Sequence, residues 1–200
     1  MKFIIATNNP DKLVELKRIL NPLGIEAVTA KQEGISLDDV EETGSTFMEN
    51  SFIKADAACK KTGLPAIADD SGICVDALGG APGIFSARFA GEEATDEDKN
   101  NLILEKLKDA DNRSAHYTAA VTCVFPNGDK LQVEGKCFGE IAREPDGDGG
   151  FGYDPIFLYD GKSFGNFTAE EKDKVSHRGN ALRMLQKELK KYLEENNVNQ

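Results

Sequence analysis

Short apolar runs alternate along this chain with segments of helical periodicity, and this alternation limits the possible folds more than any other feature. The run "KFIIA" gives way at "TNNPDK" to "LVELKRIL", whose leucines and isoleucine recur at helical spacing. Asn9 is a suitable N-cap, and Pro10 fits the first helical position, where its missing N–H is not needed. The opening segment is therefore predicted to fold as strand, loop and helix.

Further helices are predicted from their N-terminal caps. Thr46 with Glu49, and Thr95 with Asp98, each have the spacing of a capping box. The segment "TAEEKDKVS" is expected to form a capped helical turn. Ser176 is the expected N-cap of a last helix, which has a leucine-rich face suited to burial.

The remaining apolar runs predict strands. A strand over "AIA" is expected to end at Asp69 and Asp70, a second strand to cover "ICVDAL", and a short one to cover "IFLY". From Ala115 to Ile141 apolar and polar residues alternate around "PNGD", which predicts an antiparallel hairpin. Together these elements predict an α/β fold with a mixed sheet. The chain contains no repeat or linker, so we expect one domain over residues 1–200.

Charge and histidine content restrict the ligands. The net charge is −11, and no basic stripe lies outside the last helix, so a nucleic acid polymer is not expected as a partner. A small anionic substrate is compatible if local cations and a metal offset the overall field. With only two histidines the chain cannot build a multi-histidine zinc or iron site. Any metal would be bound mainly by carboxylates, which favours Mg²⁺.

The apolar segments are too short for a membrane protein. None approaches the ~20 residues that cross a bilayer, and the start "MKFIIATNNP" lacks the features of a signal peptide. We therefore expect no membrane association and a cytoplasmic location. The four cysteines include no C-x-x-C pair and are expected to be reduced thiols, mostly in the core.

The segment "TNNPDK" has the features of a phosphate site. It follows a predicted strand and opens a helix, so backbone N–H groups and the helix dipole converge there, with Lys12 about one turn in. The alternative is that Thr7, Asn8 and Asn9 only turn the chain and cap the helix. The segment alone does not decide between the two interpretations.

Two acidic pairs lie where α/β sheets place ligands. Glu41 and Glu42 precede a predicted helix, and Asp69 and Asp70 follow a predicted strand. Clustered carboxylates repel one another unless a cation offsets their charge. If the strand continues through the aspartates, their side chains point to opposite faces and one of them is structural. The pairs indicate either a Mg²⁺ site beside a phosphate chain or solvated loops.

The glycine-rich segment "GDGGFG" matches the dinucleotide pattern G-x-G-x-x-G, but it leads into "YDPIF" and not into a helix. We interpret the match as accidental. Phe151 and Tyr153 could instead offer an aromatic face to a base whose edge Asp154 contacts, the alternative being ordinary core packing.

Basic residues gather at the start of the last helix. His177 and Arg178 oppose the helix dipole there, which is understandable if an anion binds, and Lys172 lies just upstream. Ordinary exposed basic residues are the alternative.

Two well-known catalytic motifs are absent from the sequence. The chain has no G-x-x-x-x-G-K-[ST] phosphate loop, so it is not a P-loop NTPase. It also has no G-x-S-x-G elbow, so a covalent mechanism has no candidate nucleophile.

Five motifs, taken in order, resemble one known family. They are "TNNPDKLVEL", "EETGSTFMENSFIKA", "PAIADDSGICVDALGGAPGIFSARFAG", "GGFGYDPIF" and "EEKDKVSHRGNAL". They are similar to the inosine/xanthosine triphosphate pyrophosphatase family over nearly the whole chain. The resemblance implies a two-lobed α/β fold, with a long mixed sheet flanked by helices and a central substrate cleft, usually as a homodimer. It also implies Mg²⁺-dependent hydrolysis of ITP, dITP and XTP to the monophosphate and pyrophosphate, which removes deaminated purines from the nucleotide pool.

The resemblance assigns roles by motif. Glu41 and Asp70 would hold the metal, and Asp70 would orient or deprotonate the attacking water. The residues that would contact the triphosphate are Thr7, Asn8, Asn9, Pro10, Asp11, Lys12 and Lys54, and Ser71 would touch the substrate beside them. The residues that would contact the purine base and complete the phosphate contacts are Phe151, Gly152, Tyr153, Asp154, Lys172, His177 and Arg178.

Three alternatives stay open beside this function. A pyrophosphatase of the related septum-inhibitor fold would act on other nucleotides, although "SHRG" and "GGFGYDP" speak against it. A catalytically idle nucleotide sensor would bind without turnover, although every candidate carboxylate is present. A Rossmann oxidoreductase would need the glycines at 147–152 to open a helix.

Overall fold

A computed structural model describes residues 1–196 and has an α/β fold built on a mixed sheet. Its strands are β1 Lys2–Ile5, β2 Glu26–Thr29, β3 Ala66–Val75, β4 Ser114–Val124, β5 Lys130–Ile141, β6 Phe157–Tyr159 and β7 Lys162–Ser163. In the described residues these seven strands form one sheet in the order β2-β1-β3-β4-β5-β6-β7. β1 pairs in parallel with β2 and β3, whereas β6 pairs antiparallel with β5 and β7. The predicted mixed α/β fold is confirmed.

The helices begin where the caps predicted them. They are α1 Pro10–Leu20, α2 Phe47–Thr62, α3 Asp96–Lys106, α4 Ala169–Val175 and α5 His177–Glu195. Thr46, Thr95 and Thr168 each accept a hydrogen bond from the backbone N–H three residues further on, which satisfies one of the free donors of the first turn. No helix within residues 1–196 combines the length and the apolar character needed to cross a membrane.

β3 differs from the prediction. The expected break at Asp69 and Asp70 does not exist, because one strand runs from residue 66 to residue 75, and the expected second strand ends before the 3₁₀ turn Asp76–Leu78. Both carboxylates are buried, and each lies near a lysine from a different helix, Lys12 of α1 or Lys54 of α2. Since these ammonium groups offset the charge, the strand can continue through the acidic pair.

The chain forms two compact units. Unit 1 comprises residues 1–70, 119–135 and the described part of the chain from 179 onward, and unit 2 comprises residues 71–118 and 136–178. The expectation of one domain over residues 1–200 stays a prediction.

The core of unit 1 is mainly aliphatic. Leu182, Leu185 and Leu189 of α5 are buried, as the leucine pattern predicts, and they join a cluster with Phe3 and Leu16. A second cluster packs the alanines of α2 against β1 and the first half of β3. Removing this apolar surface from water stabilises the unit by ~25 cal/mol per Å² buried. The two clusters fix α1 and α2, the helices whose first turns follow the predicted phosphate and acidic motifs.

The core of unit 2 is aromatic. Tyr117 packs edge-on against Phe157 with 4.7 Å between ring centroids, and Phe164 lies 5.0 Å from Phe157. Edge-to-face pairs of this kind are favoured by the ring quadrupoles. The cluster supports the short segment between the glycine-rich loop and β6, so the loop has a rigid base.

Candidate functional site

The β1–α1 connection in unit 1 is a capped turn. Asn9 Oδ1 accepts hydrogen bonds from the backbone N–H groups of Asp11 at 2.9 Å and Lys12 at 3.2 Å. The Asn9 N–H donates to Thr7 Oγ1 at 3.1 Å, and Pro10 occupies the first position of α1. Asn9 therefore caps α1, as its position predicts. Asn8 and Asp11 are exposed at the same turn, and phosphate binding by this segment stays a prediction.

Asp69 pairs with the first turn of α1. Its Oδ2 lies 3.3 Å from Lys12 Nζ, and the Asp69 side chain is fully buried. A buried carboxylate without a counter-charge would strongly destabilise the fold. The pair therefore ties β3 to α1.

Asp70 is a buried acid with two side-chain partners from α2. Its Oδ1 lies 3.3 Å from Lys54 Nζ, and its Oδ2 accepts a hydrogen bond from Asn50 Nδ2 at 3.2 Å. Burial raises the pKa of Asp70 above the ordinary aspartate value, and the charges of Lys54 and Lys12 offset this only in part. Asp70 is thus a stronger proton acceptor than an exposed aspartate, held in place by an amide and an ammonium group.

Of the two glutamates before α2, Glu42 is the one in contact with Lys54. Glu42 Oε1 lies 3.0 Å from Lys54 Nζ, and both glutamates are exposed. Burial alone would lower the pKa of Lys54, but Asp70, Asp69 and Glu42 outweigh it and raise the pKa. In this arrangement the cation next to the carboxylates is a lysine ammonium.

The donor chemistry of this part of unit 1 suits a hard cation. Asp70, Glu41 and Glu42 offer carboxylate oxygens, the donors that Mg²⁺ prefers. No group of three or more His, Cys, Asp or Glu residues within residues 1–196 is arranged as a metal site. Since Mg²⁺ commonly takes one or two protein carboxylates and completes its shell with water and substrate phosphates, these residues fit the ion.

Asp154 organises the glycine-rich loop of unit 2. Its Oδ2 accepts hydrogen bonds from Lys172 Nζ at 2.6 Å and from the Phe151 N–H at 2.9 Å, and its Oδ1 accepts one from Tyr117 Oη at 3.4 Å. The Asp154 side chain is almost fully buried. Buried carboxylates of this kind are stable when all their acceptor sites face donors. Asp154 therefore fixes Lys172 and Phe151 relative to each other.

Two cationic side chains lie close to the ring of Phe151. Lys172 Nζ lies 4.5 Å from the ring centroid and Arg178 Cζ lies 5.8 Å from it, distances typical of cation–π contacts. Arg178 is buried and donates from Nη2 to Ser71 Oγ at 3.0 Å. The structure thus brings an aromatic ring, two cations and a serine hydroxyl into one cluster.

His177 belongs to the aromatic cluster beneath the loop. Its imidazole stacks on Tyr117 with 4.4 Å between centroids and 8° between planes, and it is buried. Tyr153 is buried too and donates from Oη to the Ser86 carbonyl at 2.7 Å. Of the predicted loop residues, Phe151 and Gly152 retain partial exposure.

Two residues that the sequence did not single out hold Gly152. Its N–H donates to Asp96 Oδ2 at 2.7 Å, and its carbonyl accepts from Asn100 Nδ2 at 3.1 Å. Asp96 and Asn100 lie one turn apart on α3, more than fifty residues before Gly152 in the sequence. Only the i, i+4 spacing of two polar side chains could have hinted at a shared target.

Comparisons with known proteins agree with this architecture. The model of the Ham1 family matches residues 3–188. A dITP/XTP pyrophosphatase from Shigella flexneri is 48% identical over 190 residues, which cover 92% of this chain and 95% of the relative. A solved HAM1 protein from Coxiella burnetii matches with a TM-score of 0.87 and 42% identity, covering 96% of this chain and 99% of the other. The Ham1 protein of Staphylococcus aureus matches with a TM-score of 0.87 and 39% identity, covering 96% and 100%.

Proposed function

The chain belongs to the Ham1 family, and from this premise we propose that it is a nucleoside-triphosphate pyrophosphatase that hydrolyses ITP, dITP and XTP to the monophosphate and pyrophosphate. The Shigella flexneri relative bears the name of this activity. The observation that carries the proposal is Asp70, a buried carboxylate with a raised pKa that Asn50 and Lys54 hold in place. Such a group is suited to take a proton from water.

A nucleoside triphosphate has a polyphosphate end and a purine end, and each unit carries groups suited to one of them. In unit 1, Lys12 and Lys54 supply positive charge, and the first turn of α1 supplies its dipole. When the substrate binds, these lysines would form ion pairs with its phosphates in place of part of their present pairing with carboxylates. The proposed triphosphate contacts are accordingly the segment from Thr7 to Lys12 together with Lys54.

Hydrolysis to the monophosphate and pyrophosphate breaks the bridge between the α- and β-phosphates, and we propose that water attacks the α-phosphorus. A bond forms between the water oxygen and this phosphorus, and the bond from the phosphorus to the oxygen that bridges to the β-phosphate breaks. The bonding electron pair leaves with pyrophosphate. Asp70 orients the water and accepts its proton, and Asn50 keeps the other carboxylate oxygen in a fixed direction.

Mg²⁺ is the proposed resident metal, with Glu41 and Asp70 as its protein ligands. When bound, the ion would neutralise charge that builds on the phosphate oxygens. The protein contributes the carboxylate oxygens, and Lys54 adds a positive charge beside Asp70.

A homodimer and a cytoplasmic location are further parts of the proposal. Light scattering on the purified protein tests the dimer.

In unit 2, the proposed purine contact is the glycine-rich loop around Phe151. Phe151 would stack on the base, and Lys172 and Arg178 would donate hydrogen bonds to its edge or to phosphate. Deaminated purines carry a keto oxygen at position 6, where adenine carries an amino group. Donors aimed at that oxygen would lose their acceptor with ATP, and buried polar groups left without partners make rejection steep.

The decisive experiment incubates the protein with ITP and with ATP, each in the presence of Mg²⁺ and of EDTA, and identifies the phosphate product. We expect IMP and pyrophosphate from ITP only with the metal, and little product from ATP. Release of orthophosphate and IDP would mean that a different phosphorus is attacked. Tight ITP binding without turnover would support the idle sensor, and preferred hydrolysis of ATP or pyrimidine nucleotides would support the septum-inhibitor alternative.

A further inference from the structure

Both backbone hydrogen-bonding groups of Gly152 are engaged by one helix. Asp96, at the first position of α3, accepts from the Gly152 N–H at 2.7 Å, and Asn100, one turn later, donates to the Gly152 carbonyl at 3.1 Å. Residues four apart on a helix lie on one face, so their two side chains can reach the backbone of the same residue. Gly152 has a φ of 64°, a left-handed backbone conformation that glycine adopts at little cost.

Asn100 is a buried amide whose hydrogen bond is made to the glycine-rich loop. Asn100 is 5% exposed, and its Oδ1 is buried without a hydrogen-bond partner among the described residues. A buried amide with one orphaned oxygen stabilises a fold less than an apolar side chain of the same size would. The observed bond of Asn100 is the one to Gly152, which lies between Phe151 and Tyr153.

The surroundings of Asp96 favour its ionised form, which accepts hydrogen bonds. Burial alone would raise the pKa of Asp96, but hydrogen bonds from Lys99 and from the Gly152 N–H outweigh it and lower the pKa. Lys99 Nζ lies 2.6 Å from Asp96 Oδ1, which leaves Oδ2 for Gly152. The capping box of Thr95 and Asp98 fixes the helix start immediately around it.

We propose that Asp96 and Asn100 are positioning residues for purine recognition, which act by holding Gly152 so that Phe151 presents its ring in a fixed orientation to the base. This inference rests on the proposed function, because it assigns the loop a purine to recognise. A loop fixed in advance loses less conformational entropy when the substrate binds. The clamp should therefore affect substrate affinity and the choice between ITP and ATP more than the chemical step.

The test uses two variants, each with a matched control on the same helix. Asp96→Ala removes the acceptor of the Gly152 N–H, and Glu97→Ala removes an exposed acidic residue from the same first turn. Asn100→Leu removes the donor with little change of size, and Asn101→Leu alters the exposed neighbour. All four proteins and the wild type are compared in ITP and ATP kinetics and in amide hydrogen exchange of peptides covering residues 149–156.

We expect KM for ITP to rise about fivefold in Asp96→Ala and about tenfold in Asn100→Leu, with kcat changed less than about twofold. The preference for ITP over ATP in kcat/KM should fall, and exchange over the loop should accelerate. Neither control should show these changes.

The outcomes separate this inference from the proposed function. Loop exchange that is equal in each variant and its control overturns the clamp, whatever the enzyme hydrolyses. Faster exchange with an unchanged KM and an unchanged preference for ITP overturns the role in recognition. Failure of the wild type to hydrolyse ITP overturns the proposed function itself, and the exchange measurement then still decides whether the clamp exists.

Discussion

Asn50 joins Asp70 to the loop that precedes α2. Its Nδ2 donates to Asp70 Oδ2 at 3.2 Å, and its Oδ1 accepts from the backbone N–H of Gly44 at 2.8 Å. Asn50 is 2% exposed, and both ends of its amide have a hydrogen-bond partner. The orientation of Asp70 is thereby coupled to the position of the segment that carries Glu41 and Glu42.

Replacing Asn50 tests this coupling. Asn50→Leu leaves the Gly44 N–H and Asp70 Oδ2 without their shared partner, at a cost of about 1–3 kcal/mol in the free energy of unfolding. We expect kcat for ITP to fall at least about tenfold, because Asp70 loses its fixed orientation. Asn50→Asp keeps an acceptor for Gly44 but places a second carboxylate against Asp70, and it should lose more activity. Wild-type kcat in both variants, measured in the pyrophosphate-release assay, would exclude a role for Asn50 in positioning Asp70.

The two adjacent aspartates should differ in what their loss affects. Asp70→Asn removes the proposed proton acceptor and should reduce kcat by about 10²-fold or more, with the melting temperature nearly unchanged. Asp69→Asn removes the counter-charge of Lys12, whose pair with Asp69 is buried on the aspartate side, and should lower the free energy of unfolding by about 2 kcal/mol. Its effect on kcat should be the smaller one. The two variants are compared by ITP turnover and chemical denaturation, and equal turnover of Asp70→Asn and wild type would remove Asp70 as the base.

Gly44 allows the loop to approach α2 closely. A Cβ at this position would lie 2.6 Å from Asn50 Oδ1 and 2.7 Å from Glu49 Cβ, both too close for real contacts. Gly44→Ala should therefore push the acidic loop away from Asp70, reduce ITP turnover and raise the Mg²⁺ concentration needed for half-maximal rate. Gly24→Ala is the control, because Gly24 has a φ of 74° with open space around it. That control should cost about 1 kcal/mol of stability without altering the metal requirement. The same Mg²⁺ titration for Gly44→Ala and wild type would contradict this account.

Local patterns predicted the caps of the helices, since a cap depends on residues three positions apart. The same patterns failed at Asp69 and Asp70, because the lysines that allow β3 to continue come from α1 and α2, far away in sequence. They also did not identify β2, whose four residues "EAVT" are too few to show a period. The resemblance assigned roles to site residues that the patterns had singled out and added Lys54 and Ser71 to them. The support of Asp70 by Asn50, however, depends on tertiary packing that no spacing reveals.

The Asp154–Lys172 pair offers a way to separate stability from recognition in unit 2. Both side chains are buried, and the carboxylate also holds the Phe151 N–H. Asp154→Asn removes the charge that faces the Lys172 ammonium and should lower the free energy of unfolding by about 3 kcal/mol.

The double variant Asp154→Asn with Lys172→Met removes both charges while keeping similar volumes, and it should recover most of the lost stability. It should not recover activity, because the cation beside Phe151 is gone: KM for ITP should stay at least about tenfold above that of the wild type. Thermal unfolding and ITP kinetics on the single variants, the double variant and the wild type form a complete cycle. If the double variant regained wild-type KM together with stability, the pair would be structural, and Lys172 would have no part in binding the substrate.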